Sequence, residues 1–412
     1  MPVPKDNIVV ALDIGTTKIC TLLAEVDRNQ QVNVVGVGTA PSAGMRKGVV
    51  VDIDEAAQAI VQSVEKCERL SGYSIQSAYV GVTGSHITGA NRRGVVAVSP
   101  NASEITVPDV ERAMEAARVQ AIANDREIIH VLARGYTLDG QDGVRDPIGM
   151  VGRRLEAEMH IVTGGSTSIR NLVRCVNRAG LQIDDLILQP LASSEAVLSP
   201  GEKDIGVAIA DIGGGTTDVA VFTDGAVCYT SAIGVAGNHV TTDLSLGLRA
   251  PFSVAEQVKI EHGSACTSQV GPDEVLEVQT YDQDEGELIS RRLVVDIIES
   301  RMQEILRLIR AELGRSGLDG RLPAGVVLVG GAAELRDIRL LGRDVLELPV
   351  RVGVPRGAIG LTDTIMRPAY ATTIGLLRWA AYHTEEASAP ILTFPQWKGL
   401  SRLRGMFREF LA

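Results

Sequence analysis

Apolar and polar positions along this chain fall into two rhythms. Short, nearly unbroken runs rich in Val and Ile predict strands buried on both faces, while apolar residues returning every three or four positions predict amphipathic helices. Two of the short runs are near copies: residues 9–23 read VVALDIGTTKICTLL and residues 207–222 read VAIADIGGGTTDVAVF. Each is an apolar run ending in Asp-Ile-Gly, then a Gly/Thr turn, then a second β-branched run, which predicts a strand–turn–strand hairpin. Such a turn leaves its backbone N–H groups uncovered, a concavity that suits an anion and phosphate in particular. Asp13 and Asp211 end their strands beside these turns, where a carboxylate can hold a hydrated Mg2+. One hairpin of this kind says little, because Gly-Thr turns are common in antiparallel sheet. Two copies about 200 residues apart imply duplicated halves facing each other across a nucleotide.

A third segment extends the pattern. Residues 325–335, GVVLVGGAAEL, predict a buried strand running into Gly330, Gly331 and Ala332, where a flat ring can lie against bare backbone. DLILQPLASSEAVL (185–198) and YATTIGLLRWAA (370–381) carry small residues at helical spacing, so two helices can pack closely. Phosphate hairpin, helix, phosphate hairpin, adenosine strand, helix: this order resembles the actin-like ATPase superfamily. The resemblance implies an α/β fold of two duplicated domains around a nucleotide cleft, binding ATP with Mg2+. A mixed α/β domain with coincidental glycines would have to produce five segments in that order.

Bulk properties change this picture little. A chain of 412 residues with 45% hydrophobic content is long enough for two domains with substantial cores. Aromatics at 3% mean that those cores are aliphatic. The net charge of −11 argues against general nucleic-acid binding. Cys20, Cys67, Cys175, Cys228 and Cys266 are an odd set without a close pair, which indicates neither a disulfide framework nor a zinc site. Cys20, Cys175 and Cys228 lie in apolar runs and read as small core residues. The apolar stretch at 8–12 is too short for a signal sequence, and no run nears the roughly 20 residues of a membrane span, so a cytoplasmic location is expected.

The last residues depart from the acidic background. After Ala381, YHTEEASAPILTFP reads as a linker, followed by QWKGLSRLRGMFREFLA at 396–412. Trp397, Leu400, Leu403, Phe407, Phe410 and Leu411 form one apolar stripe at three- and four-residue steps, widened by Met406. Lys398, Arg402, Arg404 and Arg408 lie mostly off that stripe, opposed only by Glu409. A basic helix with aromatics along one side has the character of an in-plane anchor on an anionic membrane surface. The alternative is a terminal helix docked on the protein's own core. The linker, the basic polar face and the aromatic density favour the anchor.

These features together resemble the FtsA family of bacterial cell-division proteins. VNVVGVGTAPSAGMRKGVVVDID (32–54), GVTGSHITGANRRGVVAV (81–98) and LGLRAPFSVAEQVKIEHGSA (246–265) look like blocks of that family, and the tail looks like its membrane-targeting sequence. The resemblance implies a first actin-like domain from 1–83, 165–200 and 370–383, with an inserted family-specific subdomain at 84–164. A second domain would comprise 201–245 and 300–369, with an inserted lobe at 246–299. A linker at 384–395 would lead to the helix at 396–412. Within the insertion, VPDVERAMEAARVQAIA (107–123) predicts a helix capped by the Thr106 hydroxyl.

The resemblance also implies roles. Gly15, Thr16, Thr17 and Lys18 would approach the phosphates from one side, and Gly213, Gly214, Gly215, Thr216 and Thr217 from the other; Lys18 reads equally as a solvated turn residue. Glu256 and Lys259 would sit beside ribose and adenine, or else form a surface ion pair. Gly330, Gly331 and Ala332 would flank the adenine. Gln189 stands where a side chain can orient the attacking water, and Asp211 is a second catalytic candidate beside its Mg2+ role. The implied partners are the C-terminal peptide of the tubulin-like FtsZ, further copies of the chain in actin-like protofilaments, and late divisome membrane proteins. Arg291, Arg292 and Arg301, expected to flank a helix at 293–313, are candidates for the FtsZ peptide, or ordinary solvated helix-end residues. The implied location is peripheral, on the cytoplasmic side of the inner membrane at the septum, with at most slow ATP turnover. A soluble actin-superfamily ATPase or kinase is the alternative, though no acceptor pocket with a base can be named. A pilus-assembly relative fits the 32–54 and 81–98 blocks less well.

Overall fold

The apolar runs become the centres of two sheets. The computed structural model describes residues 8–98, 104–119, 125–281, 286–318 and 320–385, so the stripe and basic residues of 396–412 lie outside the described residues. The first sheet has the order Gln182–Leu188, Ser77–Val82, Ile8–Ile14, Lys18–Val26, Val32–Pro41, Ala358–Gly360. The second has the order Ala226–Ile233, Thr217–Thr223, Val207–Ile212, Val326–Val329, Val350–Val352. Val207–Ile212 and Val326–Val329 are buried at every position. The cause lies in the layers: Val207 and Ile209 pack into one core, Ala208, Ala210 and Ile212 into the other, so neither face can be polar.

Helices cover these sheets closely. Helix Ile53–Ser71 starts at Asp52, whose side chain accepts from the N–H groups of Asp54 and Glu55, and stops at Gly72 in a left-handed conformation. It buries Ile60, Ser63, Val64 and Cys67 against Val32–Pro41, where Gly36 and Gly38 leave room for the helix backbone. The helices Gln189–Val197 and Ala371–Glu385 meet at Gly375, where a Cβ would collide with the carbonyl of Ala192. This is the close approach that their small residues predict.

The insertion forms its own four-stranded antiparallel sheet, in the order Thr88–Ala97, Arg154–Gly165, Arg126–Leu138, Gln141–Val144. Helix Val107–Val119 packs on it through Val110, Ala113 and Ala117. Its N-terminus is held differently from the expectation. The Asp109 carboxylate accepts from both the N–H and the hydroxyl of Thr106, at 2.9 and 2.5 Å, so the acid and not the hydroxyl is the acceptor. The insertion leans on the second half through a partly buried polar set. His160 pairs with Asn91 Oδ1 at 2.7 Å and Thr230 Oγ1 at 2.9 Å, and Asn91 Nδ2 donates to the carbonyl of Cys228 at 3.0 Å.

Three segments run differently from the expected ranges. Strand Ala358–Gly360 pairs in parallel with Val32–Val34 of the first sheet, although it falls in the 300–369 range assigned to the second half. Helix Arg291–Arg315 crosses the expected 299/300 boundary without a break and begins two residues before 293. Helix Ala371–Glu385 takes in the first two residues, 384 and 385, of the expected linker. No helix among the described residues is long and apolar enough to cross a membrane.

Candidate functional site

The two hairpins have the same backbone. In the first, Ile14 pairs with Ile19 and the N–H of Gly15 donates to the carbonyl of Lys18 at 3.1 Å. In the second, Ile212 pairs with Thr217 and the N–H of Gly213 donates to the carbonyl of Thr216 at 3.0 Å. The structure brings the turns together from opposite halves. A Cβ on Gly214 would collide with Thr17 Oγ1, and one on Gly215 with Thr16 Oγ1, while Thr17 Oγ1 donates to Asn238 Oδ1 at 3.3 Å. The glycines of one turn therefore make room for the hydroxyls of the other.

Behind the turns lie three carboxylates. Asp13 accepts from Gln189 Nε2 at 2.8 Å and Thr373 Oγ1 at 3.4 Å, and burial pushes its pKa up to about 6, against the opposing pull of Lys18. Asp211 accepts from Ser193 Oγ at 2.8 Å and Thr372 Oγ1 at 2.7 Å, and burial raises it as well. Asp218 accepts from Thr83 Oγ1 at 2.6 and 2.5 Å and Thr216 Oγ1 at 3.1 Å; burial, with the charge of Asp211, pushes it up to about 7. Burial makes each of these carboxylates costly to ionise, a cost that a cation at the site would offset. No group of three or more His, Cys, Asp or Glu side chains among the described residues is arranged to hold a metal directly.

The other end of the cleft is built around a helix start. The N–H of Gly237, the first residue of helix Gly237–Gly247, donates to the carbonyl of Gly213 at 3.0 Å. Lys259 Nζ donates to the carbonyl of Gly237 at 3.3 Å, to Thr241 Oγ1 at 2.8 Å and to Glu256 Oε2 at 2.7 Å; Thr241 also donates to Glu256. Glu256 and Lys259 therefore form a partly buried network against the second turn, not a solvated surface pair. Ala332 lies beside Gly237 as well, its Cβ 3.6 Å from where a Cβ on Gly237 would stand, and a Cβ on Gly331 would meet nothing within 4 Å, which leaves open space for a flat ring. Gly330 has φ 87°, and a Cβ there would stand 2.5 Å from Asp211 Oδ1. Bare backbone at one end and uncovered turns with carboxylates at the other fit a nucleotide with its cation.

Other candidates are placed less simply. Lys18 Nζ donates to the carbonyl of Ala369 at 3.2 Å and lies 3.6 Å from the centre of the Tyr370 ring. It is neither a freely solvated residue nor an unengaged phosphate ligand. Gln189 is buried at the start of its helix. Arg291 and Arg301 are half-buried and paired: Arg291 with Glu274 at 2.5 Å and the carbonyl of His262, Arg301 with Asp243 at 2.6 Å and with Glu304. Arg292 is exposed in the first turn of helix Arg291–Arg315, whereas Arg301 lies within that helix and does not flank it. Thr83, Ser193, Asp218, Thr372 and Thr373 join the site without having been expected there. Asp218 alone had a visible signal, because it ends the second copy of the motif where the first has Cys20.

Comparison with known proteins gives this geometry a setting. Residues 208–375 match the family described as "Cell division protein FtsA", and residues 84–163 match the "SHS2 domain inserted in FTSA". Among solved structures, the chain resembles the PilM-PilN type IV pilus biogenesis complex, with TM-score 0.65 and 16% identity over 90% of this chain and 98% of that one. It also resembles MreB5 of Spiroplasma citri bound to ADP, with TM-score 0.57 and 14% identity over 93% and 99% of the two chains. At those identities the likeness shows the actin-like fold. The cell division protein FtsA of Pseudomonas aeruginosa is 40% identical over 95% of this chain and 97% of its own length. That of Bacillus subtilis is 40% identical over 91% and 84%. With such identity sustained almost end to end, the chain belongs to the FtsA family of cell division proteins.

Proposed function

We propose that this protein binds ATP with Mg2+ between its two hairpin turns and tethers FtsZ filaments to the cytoplasmic face of the inner membrane at the septum. The interlocked turns, backed by Asp13 and Asp211, carry the nucleotide part. The N–H groups of Gly15 to Lys18 and Gly213 to Thr217 would hold the phosphates, with Glu256 and Lys259 beside the ribose and adenine and Gly330 to Ala332 against the ring. Mg2+ would neutralise phosphate charge from the Asp13 and Asp211 side. Gln189 commits one amide N–H to Asp13, which leaves Oε1 and the second N–H to hold a water. With Asp211 bonded to two hydroxyls, turnover would be slow and the nucleotide would act chiefly on conformation.

The tail at 396–412 would lie in the membrane surface through Trp397, Leu400, Leu403, Phe407, Phe410 and Leu411, with Lys398, Arg402, Arg404 and Arg408 toward anionic headgroups. An anchor of this size binds reversibly, so self-assembly into protofilaments would strengthen it. FtsZ would dock through its C-terminal peptide on the second half, where the exposed Arg292 is the remaining basic candidate, and late divisome membrane proteins would follow. Co-sedimentation with anionic liposomes and ATP tests this, comparing the full chain with one truncated after Ala389, each with and without FtsZ. The full chain alone should pellet and carry FtsZ with it. Equal pelleting of the truncated chain would remove the tail as anchor, and no binding by either chain would leave a soluble actin-like ATPase.

A further inference from the structure

A small hairpin beside the first turn ends in a lysine that reaches the opposite half of the cleft. Met45–Arg46 pairs with Val49–Val50, leaving Lys47 and Gly48 at the tip with φ of 50° and 74°. Two consecutive left-handed residues suit a tight hairpin turn, but that conformation disfavours a long side chain. Glycine, asparagine or aspartate would serve the turn better, so the turn itself does not explain the lysine.

The hairpin's position suggests what does. It hangs from the first phosphate turn: the N–H of Ser42 donates to the carbonyl of Thr17 at 3.0 Å, and that of Gly48 to Thr16 Oγ1 at 3.3 Å. Gly48 rests on Thr83 and Gly84, and Thr83 in turn bonds Asp218 of the second hairpin. From this tip the Lys47 stem lies along Gly234 of the other half, where a Cβ would stand 3.8 Å from Lys47 Cδ and 3.9 Å from Nζ. Gly234 is joined to the second turn by its neighbour, since Thr217 Oγ1 donates to the carbonyl of Val235 at 2.8 Å. Lys47 is exposed, and no carboxylate among the described residues pairs with it.

The two lysines already placed at the cleft are committed elsewhere. Lys18 is held by Ala369 and Tyr370, and Lys259 by Glu256, Thr241 and Gly237 at the purine end. Lys47 stands at the opposite end, beside Thr16, Thr83 and the segment bonded to Thr217. We infer that Lys47 is a sensor of the terminal phosphate: its ammonium meets the last phosphate of a bound nucleoside triphosphate and ties the first half to Gly234 of the second. A diphosphate ends short of it. This rests on the nucleotide reading and adds to it the means by which triphosphate is told from diphosphate and coupled to closure of the cleft.

The test is calorimetric titration of the full chain, with Mg2+, using AMPPNP and ADP as probes on the unaltered protein, Lys47→Gln, Lys47→Arg and Lys47→Gly. Loss of one charge-assisted contact should weaken AMPPNP binding by about tenfold or more in Lys47→Gln and leave ADP within about twofold. Lys47→Arg should keep most of the preference for triphosphate. Lys47→Gly should lose the preference while raising the melting midpoint without nucleotide, since glycine relieves the left-handed conformation. Equal weakening of both nucleotides, or no change in either, would overturn the inference. If the unaltered chain binds neither nucleotide, the nucleotide reading itself has failed and the sensor role falls with it.

Discussion

The hairpins at residues 8–26 and 207–223 share a backbone and divide the chemistry. Position by position, Asp13 corresponds to Asp211, Gly15 to Gly213, Thr16 and Thr17 to Gly214 and Gly215, and Cys20 to Asp218. Where the first turn has hydroxyls the second has bare glycine, and the structure seats one in the space left by the other. Where the first strand buries a thiol in the core, the second buries a carboxylate that Thr83 of the first half reaches. Duplication supplied two equivalent turns, and facing each other across a cleft made it possible for them to become complementary.

The complementarity can be broken most directly at Gly214. Gly214→Ala places a methyl where Thr17 Oγ1 stands, so the turns must separate, and nucleotide affinity should fall by about tenfold or more in a binding titration. Thr17→Gly in the same chain should recover much of the loss, and a double-mutant cycle showing no coupling would mean that the turns do not meet. Next in size is Asp211→Asn, which keeps a carbonyl for Ser193 and Thr372 but removes the charge. Mg2+-dependent binding should weaken by about tenfold, with a smaller loss for the less enclosed Asp13→Asn.

A smaller effect concerns pH. Asp218 and Asp13 are raised to about 7 and about 6, so the folded chain without nucleotide holds protons that the unfolded chain has released above its ordinary carboxylate range. Stability from these groups is therefore present at low pH and is lost as pH rises from about 4 through 7. Asp185, outside the cleft, is also raised to about 7, so a variant is needed to isolate the site. Asp218→Asn should melt about 3 °C or more above the unaltered chain at pH 8, with the difference shrinking toward pH 5.5. A difference that is constant with pH would mean that Asp218 titrates normally. The smallest effect is expected for Lys18→Gln, which loses one bond to Ala369 and the ring contact with Tyr370. A loss of about 1 kcal/mol by denaturant titration is expected, with nucleotide binding changed less than by Gly214→Ala.

What was legible in the sequence depended on how local the signal was. The hairpins, the strand ending at Gly330 and the two close-packed helices could be read because each is a contiguous run with its own period and punctuation. Strand Ala358–Gly360 could not, because three residues carry no period and its partner lies more than 300 positions away. Thr83, Ser193, Thr372 and Thr373 could not be read either. A lone hydroxyl in a helix or at a strand end looks the same whether it faces solvent or a carboxylate. Ion pairing was hidden in the same way, since the chain displays Arg291, Arg292 and Arg301 and does not show that Glu274 and Asp243 pair with two of them.

By itself, then, the order of residues determined the two α/β halves, the matching turns and the short motifs that end at Asp13, Asp211 and Gly330. These depend on backbone conformation and burial, which act over a few neighbouring residues. Only the tertiary structure decided that the glycines of one turn accept the hydroxyls of the other, that Asp218 answers to Thr83, and that Lys47 crosses to Gly234. Each of those contacts joins residues more than 100 positions apart, so no single segment contains both partners, and the one between Thr83 and Asp218 gains strength from burial between the two halves.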